Sequence, residues 1–390
     1  MNYHIMADEK FIDDFIDDAE KVCEPNTNLY FIRQDQINSV HVKHPLAKWV
    51  NIFGEDFKMI LNSVTPQDKI FIHWYDLPIG KLMLNINKRI PLYVALWGGD
   101  FYEDPFLYHL NWIHDSLTLR YVKKHYIYPE TWATRPGLLL KQLLEIKKKY
   151  RNARMDFDLK KQTVRRINYI LLDPNNTGEV ELTKKMYGVE KLVSLPFNYN
   201  LNFDQANSMR REQHTETGIT NILVGNSGTE SNNHADCFKV LEKYKTHNIA
   251  VSVPLSYGSK EYIEFVKSKA VQTFKEKFEP IEDFKLRKEY IHKLNSVDIG
   301  IMYHNRSQAF GNMITLLSLG KKLFLKRNNP FWELFQKTGI KVFDANAIKN
   351  LSFSEFSKLL SREEIQSNVE KVSNLFSEKK RLEYLKQILS

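Results

Sequence analysis

A chain of 390 residues is too long for one ordinary hydrophobic core, and its 43% apolar share with 24 Phe and 19 Tyr fits a well-packed protein of two domains. Two cysteines, Cys23 and Cys237, exclude a disulfide framework, and no CxxC or Cys/His cluster suggests zinc, so a reducing cytosol is expected. The formal charge of +9 is concentrated: Arg120 to Arg166 carries 14 Lys and Arg against four acids, which implies an anionic partner such as nucleic acid, membrane headgroups or a phosphorylated substrate.

The N-terminus, "MNYHIMADEKFIDDFIDDAE", is acidic and lacks the basic-then-apolar order of a signal peptide. No apolar run approaches the roughly 18 to 20 residues that span a bilayer, so a soluble or membrane-peripheral protein is expected. Strand composition appears at Leu29–Ile32, Lys69–His73, Pro91–Leu96, Asn168–Leu172 and Leu192–Leu195. Within the basic stretch, "RPGLLLKQLLEIKKKYRNAR" places Leu139, Leu143, Ile146 and Tyr150 on one helical stripe. That stripe fits a core-facing helix with a solvated Lys face. It also fits an amphipathic segment lying on anionic lipid through Lys123, Lys124, Lys147, Lys148, Lys149 and Arg151. "MDFD" shows Asp156 and Asp158 in the D-x-D spacing of metal-dependent transferases, but in a charged helical segment rather than after an apolar strand. It reads as charge balance, and no metal is expected. The polar, aperiodic stretch from 196 to 218 reads as a linker.

The second half alternates more cleanly. Strands are expected at Asn221–Val224, Ile249–Val253, Val271–Phe274, Asp298–Met302, Lys322–Leu325 and Lys341–Phe343, with helices near 234–244, 259–269, 282–294, 311–319 and 330–337, and helix from about Ser352 onward. Such βαβ units build a parallel sheet that binds ligands beyond the carboxyl ends of its strands. The loops there are rich in chemistry. Gly225, Asn226 and Ser227 expose backbone N–H groups, which suits a phosphate, although the spacing is neither a P-loop nor G-x-G-x-x-G. Tyr257 follows the second strand and Phe278 the third. After the fourth, Arg306 and Gln308 lead into Gly311-Asn312 and a helix expected from Met313. Two helix starts flanking one crevice would grip a nucleoside diphosphate without a metal. Against this, Gly311 fits close helix–sheet packing and Tyr257 fits a core position. Two α/β halves suit GT-B transferases, two-domain kinases and periplasmic binding proteins alike.

The runs "ILVGNSGTESNNHADCFKVL", "VPLSYGSKEYIEFV" and "FGNMITLLSLGKKLFLKRNNPFW" resemble the bacterial transferases that add N-acetylfucosamine from its dTDP form to a lipid-linked oligosaccharide of enterobacterial common antigen. The likeness covers most of the C-terminal half; in the first half it shrinks to islands such as "LWGGDFYED". The resemblance implies an α/β fold of GT-B type, with two Rossmann-like domains facing across a cleft and C-terminal helices. Residues 1–200 would bind the acceptor, 201–218 link, 219–352 bind the nucleotide sugar, and 353–390 form the helices. The donor site would comprise Gly225, Asn226, Ser227, Tyr257, Phe278, Arg306, Gln308, Gly311 and Asn312; Lys326 or Arg327, after the fifth strand, fits a further cation or equally solvated surface.

Sugar transfer needs a base for the acceptor hydroxyl. Asp100, on a loop after a strand and two glycines, is the first candidate; His73 is the second, and Glu103 lies nearby. Asp100 equally fits a helix cap or a group that orders its own Gly-Gly turn. The expectation is thus a metal- and cofactor-independent glycosyltransferase, peripheral to the cytoplasmic face of the inner membrane. Its partners are a dTDP-sugar donor, a lipid-linked saccharide acceptor and an anionic membrane surface. A UDP- or GDP-sugar donor serving capsule or O-antigen assembly is the alternative, and an RNA-binding protein a remote one; no nucleic acid is expected.

Overall fold

The computed structural model describes residues 1–34, 41–102, 112–128, 132–201, 203–210, 218–283 and 286–390. The chain forms two compact units and neither is contiguous. One comprises Met1–Phe106, Arg151–Asn200 and Glu378–Ser390; the other comprises Leu107–Tyr150 and Leu201–Ser377. A cut near residue 200 is therefore only one of the places where the chain passes between units. Burial explains the exchange. Leu385, Ile388 and Leu389 of the helix Glu378–Leu389 are buried with Met6, Ile12, Phe15 and Phe71 of the first unit. Tyr121 and Val122 are buried with Val224, Phe238 and Tyr262 of the second.

The first unit's sheet has strands β1 (Asn2–Met6), β2 (Asn28–Arg33), β3 (Ala47–Val50), β4 (Lys69–His73), β5 (Leu92–Ala95), β6 (Tyr169–Leu172) and β7 (Val193–Pro196). All neighbours pair parallel, in the order β3-β2-β1-β4-β5-β6-β7. Strands β1 and β3 were not expected. Every residue of β1 is buried, yet Asn2 and His4 break both an apolar run and an alternation. β3 is a half-exposed edge.

The second sheet has β8 (Thr220–Val224), β9 (Ile249–Pro254), β10 (Phe278–Ile281), β11 (Ile299–Met302), β12 (Lys322–Leu325) and β13 (Phe343–Asp344), all parallel in the order β10-β9-β8-β11-β12-β13. The expected strand Val271–Phe274 is instead the end of the helix Lys260–Phe274, which buries Ala270 and Phe274 and exposes Val271. Strands β11 and β12 are wholly buried, as parallel strands covered on both faces must be. Lys322 is tolerated inside β12 because its Nζ donates to the carbonyls of Glu355, Phe356 and Lys358 at 3.0, 2.8 and 2.9 Å. The stretch read as a linker carries the helix Phe203–Met209, whose Phe203 and Ala206 are buried with Met313 and Leu317 of the second unit.

Each sheet runs outward from its first strand to its third, then reverses to its fourth on the other side. The reversal falls between β1 and β4 in one unit and between β8 and β11 in the other. At such reversals doubly wound sheets bind ligands, beyond the strands' carboxyl ends.

Candidate functional site

In the second unit the chain leaves β8 at Gly225, where φ is +71° and an added Cβ would lie 2.5 Å from Asn232 Oδ1 and 2.9 Å from His234 Nε2. Only glycine fits there. Asn232 organises the loop that follows. Its Oδ1 accepts from the Asn226 N–H (2.9 Å) and faces His304 Nε2 (2.8 Å), while its Nδ2 donates to Ser227 Oγ (3.1 Å) and Thr229 Oγ1 (2.9 Å). The backbone donor fixes Oδ1 as the oxygen, so His304 donates from Nε2. Burial, then the nearby Arg306 charge, hold His304 well below its usual pKa.

Gln308, after β11, ties the two reversal loops together. Its Nε2 donates to Asn226 Oδ1 (2.9 Å), and its Oε1 accepts from Ser231 Oγ (2.6 Å). Asn226 Nδ2 donates to the Tyr257 hydroxyl (3.0 Å), and the Gly228 N–H donates to the Tyr257 carbonyl (2.7 Å). Loops after β8, β9 and β11 thus form one hydrogen-bonded surface. Tyr257 is 49% exposed on it, which removes the core reading for that residue. Arg306 is buried and donates to the Ser307 carbonyl (2.8 Å) and Ser231 Oγ (3.2 Å).

The helix Phe310–Ser318 starts three residues earlier than expected, which places Gly311 and Asn312 in its first turn. Its N-cap, Ala309, is left-handed and supplies no side-chain cap, so the first N–H groups lack intrahelical partners. Nothing lies within 4 Å of where a Gly311 Cβ would sit, so close helix–sheet packing does not account for this glycine. Asn312 Nδ2 donates to the Tyr290 hydroxyl at 2.9 Å.

Phe278 does not join this surface. It opens β10 at the amino end, opposite the loops that follow the strands, and packs against the core. Lys326 is also displaced from the expected role: it is buried, ion-paired to Asp115 at 2.5 Å and placed over the Tyr303 ring. Arg327 is exposed and paired with Asp344 at 2.7 Å.

Asn232, Asn233, His304 and Asp115 were missed from sequence. Asp115 accepts from Asn305 Nδ2 (2.9 Å), and its N–H donates to Asn233 Oδ1 (2.7 Å). Asp236 accepts from the backbone of Leu117 (2.8 Å) and Thr118 (2.9 Å) at the start of the helix Ser116–Val122. The paired asparagines in "GTESNNHAD" were the available signal, since side-chain amides supply both donors and acceptors for tying a polar loop.

In the first unit, His73 ends β4 inside a directional network. The Glu20 carboxylate accepts from Asn28 Nδ2 (3.0 Å), which turns Asn28 Oδ1 toward His4 Nε2 (3.4 Å). His4 therefore donates from Nε2 and accepts at Nδ1 from His73 Nε2 (3.1 Å). His73 Nδ1 in turn accepts from the Tyr199 hydroxyl (2.6 Å), whose oxygen accepts from Trp97 Nε1 (3.1 Å). Both histidines are neutral: burial lowers His4 to about 3, and burial with the His4 neighbour holds His73 well below its usual value.

Asp100 lies in the short helix Gly99–Tyr102, and its carboxylate accepts from the Trp97 N–H at 3.0 and 3.2 Å, closing its own turn. Burial raises its pKa to about 7, against the lowering effects of the Trp97 N–H and the Lys160 charge. Lys160 Nζ donates to the Asp100 carbonyl. Glu103 lies outside the described residues.

The basic segment forms the helix Pro136–Val164, in which Lys147, Lys148, Lys149 and Arg151 are exposed; before it, Lys124 is exposed and Lys123 half-buried. The apolar stripe is shifted from expectation. Leu139, Ile146 and Tyr150 are half-buried, whereas Leu138, Leu140, Leu143 and Leu144 are exposed. Asp156 and Asp158 sit in this helix, with Asp158 paired to Arg154 at 3.2 Å. Among the described residues no group of three or more His, Cys, Asp or Glu could hold a metal ion, and no helix is long and apolar enough to cross a membrane.

Two doubly wound parallel units have the architecture of GT-B glycosyltransferases, and the similar solved structures are of that fold. The chain is similar over 99% of its length, at 8% identity and a TM-score of 0.58, to 98% of an alpha,alpha-trehalose-phosphate synthase (UDP-forming) from Burkholderia vietnamiensis. An E. coli trehalose-6-phosphate structure bound with UDP-2-fluoro glucose matches at 11% identity and a TM-score of 0.57, covering 99% of this chain and 97% of that one. A sucrose-phosphate synthase from Thermosynechococcus elongatus matches at 9% identity and 0.59, covering 100% and 98%. Residues 142–367, more than half of the chain, match the family model of 4-alpha-L-fucosyltransferases, glycosyl transferase group 56. The chain belongs to that family and is a glycosyltransferase.

Proposed function

We propose that the protein moves a deoxy-amino sugar, N-acetylfucosamine, from dTDP to a lipid-linked saccharide in bacterial surface-polysaccharide synthesis. The observation that carries the donor site is the surface at the β8/β11 reversal. There Asn226, Ser227, Tyr257 and Gln308 follow Gly225 and are joined by hydrogen bonds near the helix whose uncapped first turn holds Gly311 and Asn312. Bare N–H groups and the helix dipole favour a diphosphate, and no step requires a metal. The choice of dTDP and of the sugar rests on the sequence resemblance. A UDP-linked donor is the second reading, favoured by the UDP-2-fluoro glucose in the E. coli neighbour.

For the acceptor's proton we propose Asp100 over His73. Both His73 nitrogens are committed and its pKa lies far below neutral, whereas burial brings Asp100 to about 7, matched to a base working near neutral pH. The exposed leucines 138, 140, 143 and 144, set among Lys141 and Lys147 to Arg151, suit insertion into an anionic bilayer where a lipid-linked acceptor resides. Calorimetry with dTDP, UDP and GDP in the presence of EDTA tests the donor reading. Selective binding of one nucleoside diphosphate supports it and names the donor class; binding of none overturns it.

A further inference from the structure

His73 and Tyr75 are each only 1% exposed, His73 bonded to His4 and Tyr199 and the Tyr75 hydroxyl to Thr163. Trp74, between them, is partly exposed and sits at φ +101°, a backbone conformation rarely adopted by L side chains. His73 and Tyr75 share one face, as alternation along an extended chain requires, and with both anchored inward Trp74 is held on the opposite side. Glycine would meet that backbone demand without strain. The largest side chain stands there instead, which singles out the ring itself as the thing being presented.

The Trp74 ring lies 5.2 Å from that of Trp97, inclined at 49°. Trp97 is also partly exposed and is held on three sides. Its Nε1 donates to Tyr199, its backbone N–H to the Asp100 carboxylate, and its ring meets Phe11 edge-on at 4.6 Å. The two indoles follow the adjacent strands β4 and β5, with Trp74 at the β1/β4 reversal where a doubly wound sheet takes its ligand. Beneath them the Glu20-to-Trp97 chain of hydrogen bonds is complete, so this surface offers ring faces above a rigid, satisfied floor. Asp76, two residues further on and paired with Arg33 at 2.6 Å, adds a part-exposed carboxylate that can accept from hydroxyls.

We propose that Trp74 and Trp97 form the stacking platform for a pyranose ring of the saccharide acceptor, which engages them through its apolar C–H face. This rests on the reading of the protein as a transferase with a saccharide acceptor. Planes inclined at 49° cannot both lie flat against one planar base, whereas a puckered sugar ring can turn C–H groups toward both.

The test is fluorine NMR on the full chain labelled with 5-fluorotryptophan, whose six resonances are assigned by single Trp→Phe substitutions. Methyl β-glycosides of glucose, N-acetylglucosamine, galactose and mannose are the probes. The Trp74 and Trp97 signals should shift with at least one glycoside while the other four stay still. Trp74→Gly should weaken the Trp97 titration about tenfold. The same variant should leave nucleoside-diphosphate binding and the thermal midpoint unchanged, because glycine accepts the positive φ. Three results would each overturn the platform: no glycoside moving the two signals, Trp74→Gly binding as well as the parent, or Trp74→Gly losing thermal stability and nucleotide binding together. If glycosides bind while dTDP, UDP and GDP all fail on the parent, the donor reading falls and the platform stands.

Discussion

Replacing Asp100 with Asn separates two roles that one buried carboxyl would otherwise combine. Its pKa rises from the ordinary 3.8 to about 7, first because it is buried, and against the opposing pull of the Trp97 N–H and Lys160. A carboxyl whose folded pKa is raised contributes stability that is complete below the unfolded value and is lost as pH climbs through the folded one. Between pH 5 and 8 the native protein should therefore lose about 2.5 kcal/mol through this group alone. Asn keeps an acceptor for the Trp97 N–H and carries no proton to lose, so the stability of Asp100→Asn relative to the parent should rise by about 2.5 kcal/mol between pH 5 and pH 8. Urea unfolding of both proteins at pH 5, 6.5 and 8 measures this, and other titrating groups cancel in the difference. A difference that does not change with pH would refute the burial argument. Turnover is a separate readout: loss of a general base should lower kcat by about 100- to 10,000-fold. An Asp100→Asn enzyme that is more stable at pH 8 and fully active would leave Asp100 as the turn-former alone.

Gly225→Ala should cost on the order of 1–3 kcal/mol in unfolding measurements and abolish nucleotide binding, since its Cβ meets Asn232 at 2.5 Å on a backbone with φ of +71°. Gly311→Ala has open space around it and should keep or slightly raise stability, by up to about 1 kcal/mol. A fall in its nucleoside-diphosphate affinity at unchanged stability would show that the ligand occupies that space, and an unchanged affinity would remove Gly311 from the donor site. His4, His73, His234 and His304 are all held neutral in the fold, whereas the unfolded chain takes up their protons below about 6.5. Each should withdraw roughly 1.3 kcal/mol of stability as pH falls from 7.5 to 5.5, best read in the Asp100→Asn background, where the opposing carboxyl is absent; a flat profile would mean that these rings are charged or hydrated. Leu143→Glu should weaken partition onto anionic phospholipid vesicles about tenfold in a sedimentation assay, and no change would place that helix face away from lipid.

The second sheet was legible because its strands are buried on both faces and read as short apolar runs between helical stretches, as β11 and β12 do. Val271–Phe274 failed for the same reason: a buried Ala270 and Phe274 one turn apart on a helix imitate a short strand when the window is only four residues. β1 was hidden by Asn2 and His4, whose burial is offset by partners twenty-odd to seventy residues or more away, which local pattern cannot show. The loops after β8 and β11 were legible through glycines and small polar residues, which have local conformational reasons to be there. The groups that tie them, Asn232 and His304, act over 72 residues of sequence and become visible only when the strands are adjacent. Lys326 illustrates the converse: a cation at a strand end suggested an anionic ligand, but Asp115 from the first half of the chain neutralises it.

The helix Glu378–Leu389 sets an order of events during synthesis. Domains ordinarily complete themselves as they leave the ribosome, the earlier-made one first. Here Asn2 Nδ2 donates to the Leu389 carbonyl, Lys69 Nζ to that of Ile388, and Arg381 pairs with Asp18 at 2.6 Å. The β1 end of the first sheet therefore waits, with Met6, Ile12 and Phe15 incompletely covered, until residues 201–377 have been translated. The nascent chain must carry an unfinished first unit through the making of the second, and the C-terminal helix is the piece that completes it.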